Sequence, residues 1–356
     1  MNAVILAGGK GTRLRPLTLN TPKPIVPILT RPFLSLQLDL LKKTGIDNVI
    51  LSLSYQPRRI EELFGDGSAL GIKIHYTVEP EPLGTAGAVK NAESLLKART
   101  VVFNGDVLSD LDLGAVLRFH EENNAKCTIV LTPVENPTAY GLVETESTGS
   151  VKRFLEKPSY DEITCDTINA GVYVIEPELL DYIPGGKNYS FERGFFPALL
   201  RDKVPFYAYV HRGYWIDIGT PEKYLKVHRD ILSGALPFED FTPNAGGTYV
   251  DPKASVESGA KIQGPGYIGA NVTVKAGASL EPYAVLGPNC RIEEGATVGN
   301  AVLWSGVRVG AGARVRSALI GRNAHIGHHS IVDGGVVLGD KSVLTDYSRI
   351  TPLDGA

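Results

Sequence analysis

From about residue 247 the sequence repeats every six residues, and that period limits the fold more than any other feature. Aliphatic side chains stand at Val250, Val256, Ile262, Ile268, Val274, Leu280, Leu286, Ile292 and Val298, always six apart. A five-residue step leads to Leu303, Val309 and Val315, and a second one to Ile320, Ile326, Val332, Leu338 and Leu344. Two places before most of them sits a small residue, as at Ala254, Ala260, Gly266, Ala278, Ala284, Ala296, Ala313 and Ala324. A helix repeats every ~3.6 residues and is weakened by this much glycine, so the segment is not helical. A hexapeptide period marks a parallel β-helix. Three short strands form each triangular coil, the aliphatic residue fills the axis and the small residue fits the corner. Seventeen such positions predict between five and six coils. Chance alternation in an irregular all-β domain would not keep phase over this length.

The preceding sequence follows another rule. Up to about residue 232, short β-branched runs alternate with helical patterns. Ala3–Ala7, Val49–Leu53 and Thr100–Phe103 read as strands bounded by turns. Between the first two lies Pro32 to Thr44, where Leu34, Leu38 and Leu41 recur at helical spacing before Gly45. Residues 85–97 and 112–123 read as further crossover helices. Strand, helix and strand in this order predict a Rossmann-like, mostly parallel α/β sheet. The domain plan is then 1–232 for the α/β domain, 233–246 for a linker rich in Pro and Gly, and 247–350 for the β-helix, which hexapeptide repeats predict to be left-handed.

The α/β domain opens with GGKGTRLRPLTLNTPKP at residues 8–24, directly after a buried strand. This stretch combines three glycines, three prolines, two arginines and two lysines with no acid. The formal net charge of the whole chain is −3, so no bulk basic field attracts nucleic acid or an anionic membrane; the anion this loop meets is bound locally. A dinucleotide fingerprint is excluded because Gly9-x-Gly11-x-x is followed by Leu14, and no Walker A spacing occurs. A plain surface turn leaves Arg13 and Lys23 unexplained. The remaining reading is a phosphate-binding loop in which backbone N–H groups from Gly8 to Thr12 approach phosphate oxygens closely. Arg13 adds a planar bidentate contact and Lys23 a point charge, with prolines 16, 22, 24 and 27 stiffening the return path.

The stretch LAGGKGTRLRPLTLNTPKP closely resembles the opening of the sugar-1-phosphate nucleotidyltransferases, several of which carry hexapeptide repeats. The resemblance implies the reaction of a nucleoside triphosphate with a sugar 1-phosphate to give a nucleotide-sugar and pyrophosphate. It implies a nucleotide site including Leu6, Ala7, Gly8, Gly9, Gly11, Thr12, Arg13, Gly84, Thr85 and Asp106, with Arg13, Lys23 and Lys157 as the catalytic cations. Mg2+ is the implied cofactor, held by Asp106 of Asn104-Gly105-Asp106 and by Asp217 of Trp215-Ile216-Asp217-Ile218-Gly219. By spacing alone Asp106 reads equally as a turn residue, and Asp217 as a residue preceding a helix at Thr220-Pro221-Glu222. The segment Glu156-Lys157-Pro158, with Tyr140-Gly141 and Asn169-Ala170-Gly171, is similar to the family's sugar-phosphate pocket, which implicates Gly141, Glu156, Lys157 and Asn169. Without the resemblance, a Glu-Lys pair is usually a solvated strand end.

The base is the least determined part. Glu79-Pro80-Glu81-Pro82-Leu83-Gly84-Thr85-Ala86-Gly87 reads as a turn entering a helix with Thr85 as its N-cap. Thymidylyl and uridylyl members commonly carry an upstream glutamine, whereas this chain has Glu79 and Glu81. The run E-P-L-G-T-A-G is most similar to the members that guanylylate mannose 1-phosphate, and either glutamate is a candidate to accept from guanine. Other triphosphates and other hexose or cyclitol phosphates stay open. Arg322-Asn323-Ala324-His325-Ile326-Gly327-His328-His329 raises an acyltransferase alternative with a histidine base, although no loop interrupts the coils to hold an acyl carrier. A non-catalytic regulatory homologue would lack part of the set Arg13, Lys23, Asp106, Lys157 and Asp217, all of which are present.

Three scattered cysteines, Cys127, Cys165 and Cys290, argue against a disulfide framework. The N-terminus lacks a signal-peptide pattern and no apolar run approaches the ~20 residues of a membrane span. The expectation is a cytoplasmic protein without membrane or nucleic-acid partners, binding small-molecule substrates. Open coil edges predict a homo-oligomer.

Overall fold

In the computed structural model, which describes residues 1–351, the period-six segment winds as three parallel sheets of six strands each. Equivalent residues stack in register: Ile268 on Leu286, then Leu303, Ile320 and Leu338. The final strand, Arg349–Ile350, pairs with Ile331–Val332 and completes a sixth coil. Ile292, Val298, Val309, Val315, Ile320 and Ile326 are fully buried along the axis, and Ala278, Ala296, Ala313 and Ala324 are equally buried beside them. The corners need left-handed backbone, and asparagine supplies much of it, at Asn271, Asn289, Asn300 and Asn323. The Asn271 amide donates to Asn289 Oδ1 at 3.2 Å in the next coil.

Both five-residue steps fall at the same corner. After Thr297–Gly299 the chain turns at Asn300, and after Arg314–Arg316 it turns at Ser317, each with positive φ. Asn300 Nδ2 donates to Ser317 Oγ at 3.1 Å, so the shortened corners brace one another.

The chain forms two compact units: one comprises Met1–Lys10 and Leu34–Trp215, the other Gly11–Phe33 and the chain from Ile216 onward. The chain therefore passes from one to the other inside the glycine loop.

The first unit is built on one nine-stranded sheet. Its strands are β1 (Asn2–Leu6), β2 (Asn48–Leu53), β3 (Lys73–Val78), β4 (Thr100–Asn104), β5 (Cys127–Pro133), β6 (Gly141–Thr145), β7 (Val151–Glu156), β8 (Thr167–Ile175) and β9 (Phe206–Val210). The order β7-β6-β8-β4-β1-β2-β3 has β5 against β8 and β9 against β5. Pairs β4–β1, β1–β2, β2–β3 and β5–β9 are parallel, as expected for strands separated by crossovers. The sheet continues antiparallel through β8, β6 and β7, so it is mixed. Helices α1 (Phe33–Lys43), α2 (Pro57–Phe64), α3 (Gly84–Asn91), α4 (Leu113–Glu122) and α5 (Phe196–Arg201) connect its strands. α3 is shorter than the 85–97 expected, because Ala92 N–H turns to Val89 C=O at 3.0 Å and the chain tightens into a 3-10 turn at Glu93–Leu95. Aromatic side chains of Phe191, Phe195, Phe196 and Phe206 pack with Tyr173 beneath the sheet's antiparallel half.

The second unit contains the β-helix, the loop Gly11–Phe33 and helix α6 (Pro221–Leu232). Thr220 caps α6, accepting from Lys223 N–H at 3.4 Å. His228 of this helix is buried and neutral: Nδ1 donates to Tyr224 C=O at 2.8 Å while Nε2 accepts Leu29 N–H at 3.1 Å. Burial lowers its pKa from the usual 6.5 to about 4. Protonation is thus disfavoured in the folded state. The stabilisation is complete above pH 6.5 and is lost as pH falls toward 4, because the unfolded histidine takes up a proton first. Thermal melts from pH 7.5 to 4.5 should show this decline, and His228→Gln, which keeps an acceptor without a titrating ring, should flatten it.

Candidate active site

The first unit gathers one group of candidate residues at the carboxyl ends of its parallel strands. The chain runs from β1 outward through β2 and β3, then returns to place β4 on the other side of β1, so the strand order reverses there. Open α/β sheets bind ligands at such a reversal. Leu6 ends β1 half-buried, Ala7 is buried with its N–H on Ser52 C=O at 2.9 Å, and Gly8 and Gly9 emerge from the sheet. A Cβ on Gly8 would lie 3.1 Å from Ser54 Cβ and 3.5 Å from Glu79 Oε1, so glycine admits the neighbouring strand end.

Asp106 joins this group through Gly105. Gly105 N–H donates to Leu6 C=O at 3.0 Å, and a Cβ there would stand 2.4 Å from the same oxygen. Only glycine allows that approach, which brings the Asn104-Gly105-Asp106 turn against the root of the glycine loop. From behind, buried Gln37 of α1 donates from Nε2 to both Asn104 C=O and Val107 C=O at 2.9 Å. One side-chain amide therefore clasps both ends of the turn that carries Asp106. Sequence reading missed Gln37; a polar residue between Leu34, Leu38 and Leu41 on an apolar helix face was the available signal.

The segment after Glu79 is held from two directions. Glu79 is half-buried, accepting Ser52 Oγ–H at 3.1 Å and Leu83 N–H at 2.8 Å, whereas Glu81 is exposed. Gly84 has φ of +73° and opens α3. Thr85 does not cap this helix: the N-cap position is Leu83, without a side-chain bond. Thr85 Oγ1 instead donates to Glu192 Oε2 at 3.0 Å and accepts Phe191 N–H at 2.9 Å. Leu83 C=O and Gly87 N–H also bond to Tyr189, at 2.8 and 2.9 Å. Tertiary partners from the Tyr189–Glu192 segment thus stand where a local cap was expected.

At the antiparallel end, Gly141 of β6 stands opposite Glu156 of β7. A Cβ on Gly141 would meet the Phe154 ring at 2.6 Å and Glu156 Oε2 at 3.1 Å. Burial raises the Glu156 pKa, with repulsion from Glu192 adding to it and Lys157 and Arg193 opposing. Lys157 is exposed, has φ of +53°, and donates its N–H to Tyr140 C=O at 2.9 Å. Asn169 spans the bulge in β8, its Oδ1 accepting Gly171 N–H and its Nδ2 donating to Tyr173 Oη, both at 2.9 Å. Each atom has the capacity for a further hydrogen bond.

The remaining candidates belong to the second unit. Gly11 takes φ of +60°, and its carbonyl accepts Thr18 Oγ1–H at 2.7 Å and Leu14 N–H at 3.0 Å. Thr12 and Arg13 form a short 3-10 turn whose side chains are exposed. The Arg13 guanidinium lies over Gly219, where a Cβ would be 2.6 Å from Nη2. Arg13 is thereby beside the segment of Asp217, which is paired to Lys223. Lys223 is a second residue that sequence reading missed. Lys23 is buried at the start of another 3-10 turn, Lys23–Ile25. Among the described residues no cluster of three or more Asp, Glu, His or Cys is arranged for a metal. Hard carboxylate oxygens such as those of Asp106 and Asp217 fit Mg2+, which completes its shell with water and substrate phosphates. Two histidines of the β-helix serve coil packing: His328 Nδ1 accepts Ala311 N–H at 3.0 Å and His329 stacks on Tyr347 with centroids 5.2 Å apart.

Comparison with known proteins agrees with the fold. The family model described as nucleotidyl transferase matches residues 2–234, and that described as the EIF2B subunit epsilon LbH domain matches residues 245–350. The latter is the left-handed β-helix expected from the repeats. The chain is 45% identical over 266 residues to mannose-1-phosphate guanylyltransferase of Mycobacterium tuberculosis, spanning 74% of each protein. It is 34% identical over 361 residues to mannose-1-phosphate guanylyltransferase 1 of Arabidopsis thaliana, spanning 98% of this chain and 99% of the relative. Among solved structures, HddC from Yersinia pseudotuberculosis complexed with GMP-PN is similar with a TM-score of 0.55 at 33% identity, over 64% of this chain and 97% of that one.

The Gln37 clasp has a measurable consequence. Gln37→Leu keeps the volume but leaves two buried carbonyls without their donor, which costs about 1–3 kcal/mol. Urea denaturation followed by fluorescence should show this loss, and a stability equal to the wild type would remove the clasp.

Proposed function

The chain belongs to the nucleotidyl transferase family, and from that premise we propose that it transfers a guanylyl group from GTP to mannose 1-phosphate, giving GDP-mannose and pyrophosphate. The observation that carries the choice of base is Glu79. Its carboxylate sits beside Gly8 and braces Leu83, with acceptor positions left over for the N1–H and exocyclic amine of guanine. Glu81, exposed and a turn further out, is the weaker candidate. The relatives named as mannose-1-phosphate guanylyltransferases support the sugar.

The chemistry asks little of acid–base groups. A sugar phosphate has its second pKa near ~6 and is largely dianionic at neutral pH. One of its oxygens attacks the α-phosphorus, a new phosphoanhydride bond forms, and the bond to the bridging oxygen of pyrophosphate breaks. Positioning and charge stabilisation then carry the rate. We assign Leu6, Ala7, Gly8, Gly9, Gly11 and Thr12 to the triphosphate, Gly84 and Thr85 to the nucleoside, and Arg13 and Lys23 to the departing pyrophosphate. Lys157 neutralises the sugar phosphate. Glu156 and Asn169 accept and donate to sugar hydroxyls, with Gly141 leaving room for the ring. Asp106 and Asp217 are the proposed carboxylates for Mg2+, which when bound supplies charge neutralisation on the phosphates. Lys223 then orients the Asp217 carboxylate through their ion pair.

No helix among the described residues is long and apolar enough to cross a membrane, and a cytoplasmic setting is part of this proposal. Exposed Val343 and Tyr347 in the last coil support self-association.

The test is pyrophosphate release by the purified protein with Mg2+, crossing mannose 1-phosphate and glucose 1-phosphate with GTP, dTTP, UTP and ATP. GTP with mannose 1-phosphate should dominate; a preference for another pair would discard the assignment of Glu79. Arg13→Ala should lower kcat by about 10²-fold or more, as expected for losing a charged donor to the leaving group. Lys157→Ala should act mainly on KM for the sugar phosphate. Full Mg2+-dependent activity in Asp106→Asn would remove the metal role.

A further inference from the structure

The loop that carries Arg13 and Lys23 is not held by its own hydrogen bonds alone. At Thr21 the hydroxyl accepts from the Arg322 guanidinium, which lies 4.8 Å over the ring of Trp304. Trp304 is buried, and its indole N–H donates to Tyr224 Oη at 3.1 Å. Tyr224 Oη in turn donates to Pro27 C=O. Leu29 N–H is bonded to His228, and Thr30 Oγ1 to Tyr267 Oη at 3.1 Å. At Pro16 the loop rests on Gly339, where a Cβ would be 3.1 Å from the proline ring. Arg322 itself is fixed from the next coil, its N–H donating to Asp340 Oδ1 at 2.8 Å.

Tyr267, Trp304, Arg322 and Gly339 all lie in the hexapeptide repeats, on the second, fourth, fifth and sixth coils. Tyr267, Arg322 and Gly339 meet the loop directly between Pro16 and Thr30, and Trp304 reaches it through Tyr224. The lysine is tied in most directly: Thr21-Pro22-Lys23-Pro24 alternates with rings that remove backbone freedom, so the position of Thr21 is passed to Lys23. Arg13 is linked through Gly11, whose carbonyl is held by Thr18. A cation that stabilises a leaving group must be in place before charge develops, and misplacement by ~1 Å is enough to cost ~10²-fold in rate. Flexible lysine and arginine side chains reach that standard only if their backbone is rigid.

We propose that the β-helix acts as a template for the phosphate loop, and that Arg322, stacked on Trp304, is a positioning residue for Lys23 and Arg13. The kinetic part rests on the nucleotidyl-transfer reading; the structural part does not. The repeat domain then contributes to turnover without touching substrate, by the same stiffness that its axial packing gives it.

Hydrogen exchange and steady-state kinetics on the full-length protein test this together. The variants are Arg322→Met, Arg322→Lys and Trp304→Phe, with Arg316→Met as a control that breaks an arginine–glutamate pair elsewhere on the coil. In Arg322→Met, peptides within residues 11–33 should exchange about tenfold faster, while peptides of the coil keep wild-type rates. Turnover should fall about tenfold, with KM for both substrates within about twofold. Trp304→Phe should shift both readouts in the same direction. Arg322→Lys, which keeps a donor but loses the flat stack, should recover part of both. Arg316→Met should change neither. Unchanged loop exchange in Arg322→Met overturns the template, as does acceleration spread evenly over the coil and the loop, which would make Arg322 merely structural. If the wild type released no pyrophosphate with any substrate pair, the reaction assignment would fail, and loop exchange would still decide whether the template exists.

Discussion

A single peptide contact, Gly105 N–H to Leu6 C=O, determines how the candidate site of the first unit is assembled. It exists because β1 and β4 are parallel neighbours in register, Leu6 opposite Asn104. Both chains leave the sheet at the same level, and only a glycine lets one turn lie on the other. The root of the glycine loop and the turn that carries Asp106 therefore emerge side by side. α1 supports the arrangement from beneath, since Gln37 satisfies the carbonyls that the turn withdraws from the sheet. A buried carbonyl left unmatched would oppose the geometry by more than a typical hydrogen bond contributes.

The second unit meets a different requirement. Its loop is rich in proline and carries four cations, so it has little secondary structure of its own beyond three short 3-10 turns and one pair of two-residue strands. A β-helix is a suitable support because each coil is locked to the next by parallel ladders and a filled axis. The two five-residue steps sharpen one corner, and Arg229 of α6 reaches Asn300 at that corner, at 2.7 Å. What looks in the sequence like an imperfection in the repeat is thus the place where the coil receives the helix that holds Leu29.

Much of the fold was legible. The six-residue period located the axial residues because burial at an axis recurs strictly with the coil, and every register pair of the β-helix follows from it. The strand–helix alternation located β1, β2 and β4. Less legible was the antiparallel half of the sheet, because a buried strand has the same apolar composition in either direction. Glycine spacing and paired acids indicated most of the candidate residues, yet Gln37 and Lys223 carry no motif, and Thr85 passed for a cap. Gln37 and Thr85 are defined by partners far away in sequence, and Lys223 by an ion pair to Asp217 that only the fold of its segment forms.

The sequence by itself therefore determined the periodic architecture, the two grammars of the chain and the chemical character of the glycine loop. Periodicity is a local property, and so are glycine, proline and charge content. Tertiary structure alone decided which glutamate is braced near Gly8, what grips the Asp106 turn, and that Trp304 and Arg322 belong to the loop's support rather than to an idle surface. The physical reason is that hydrogen bonds and stacking act over a few ångströms, and only folding brings residues 21 and 322 within that range.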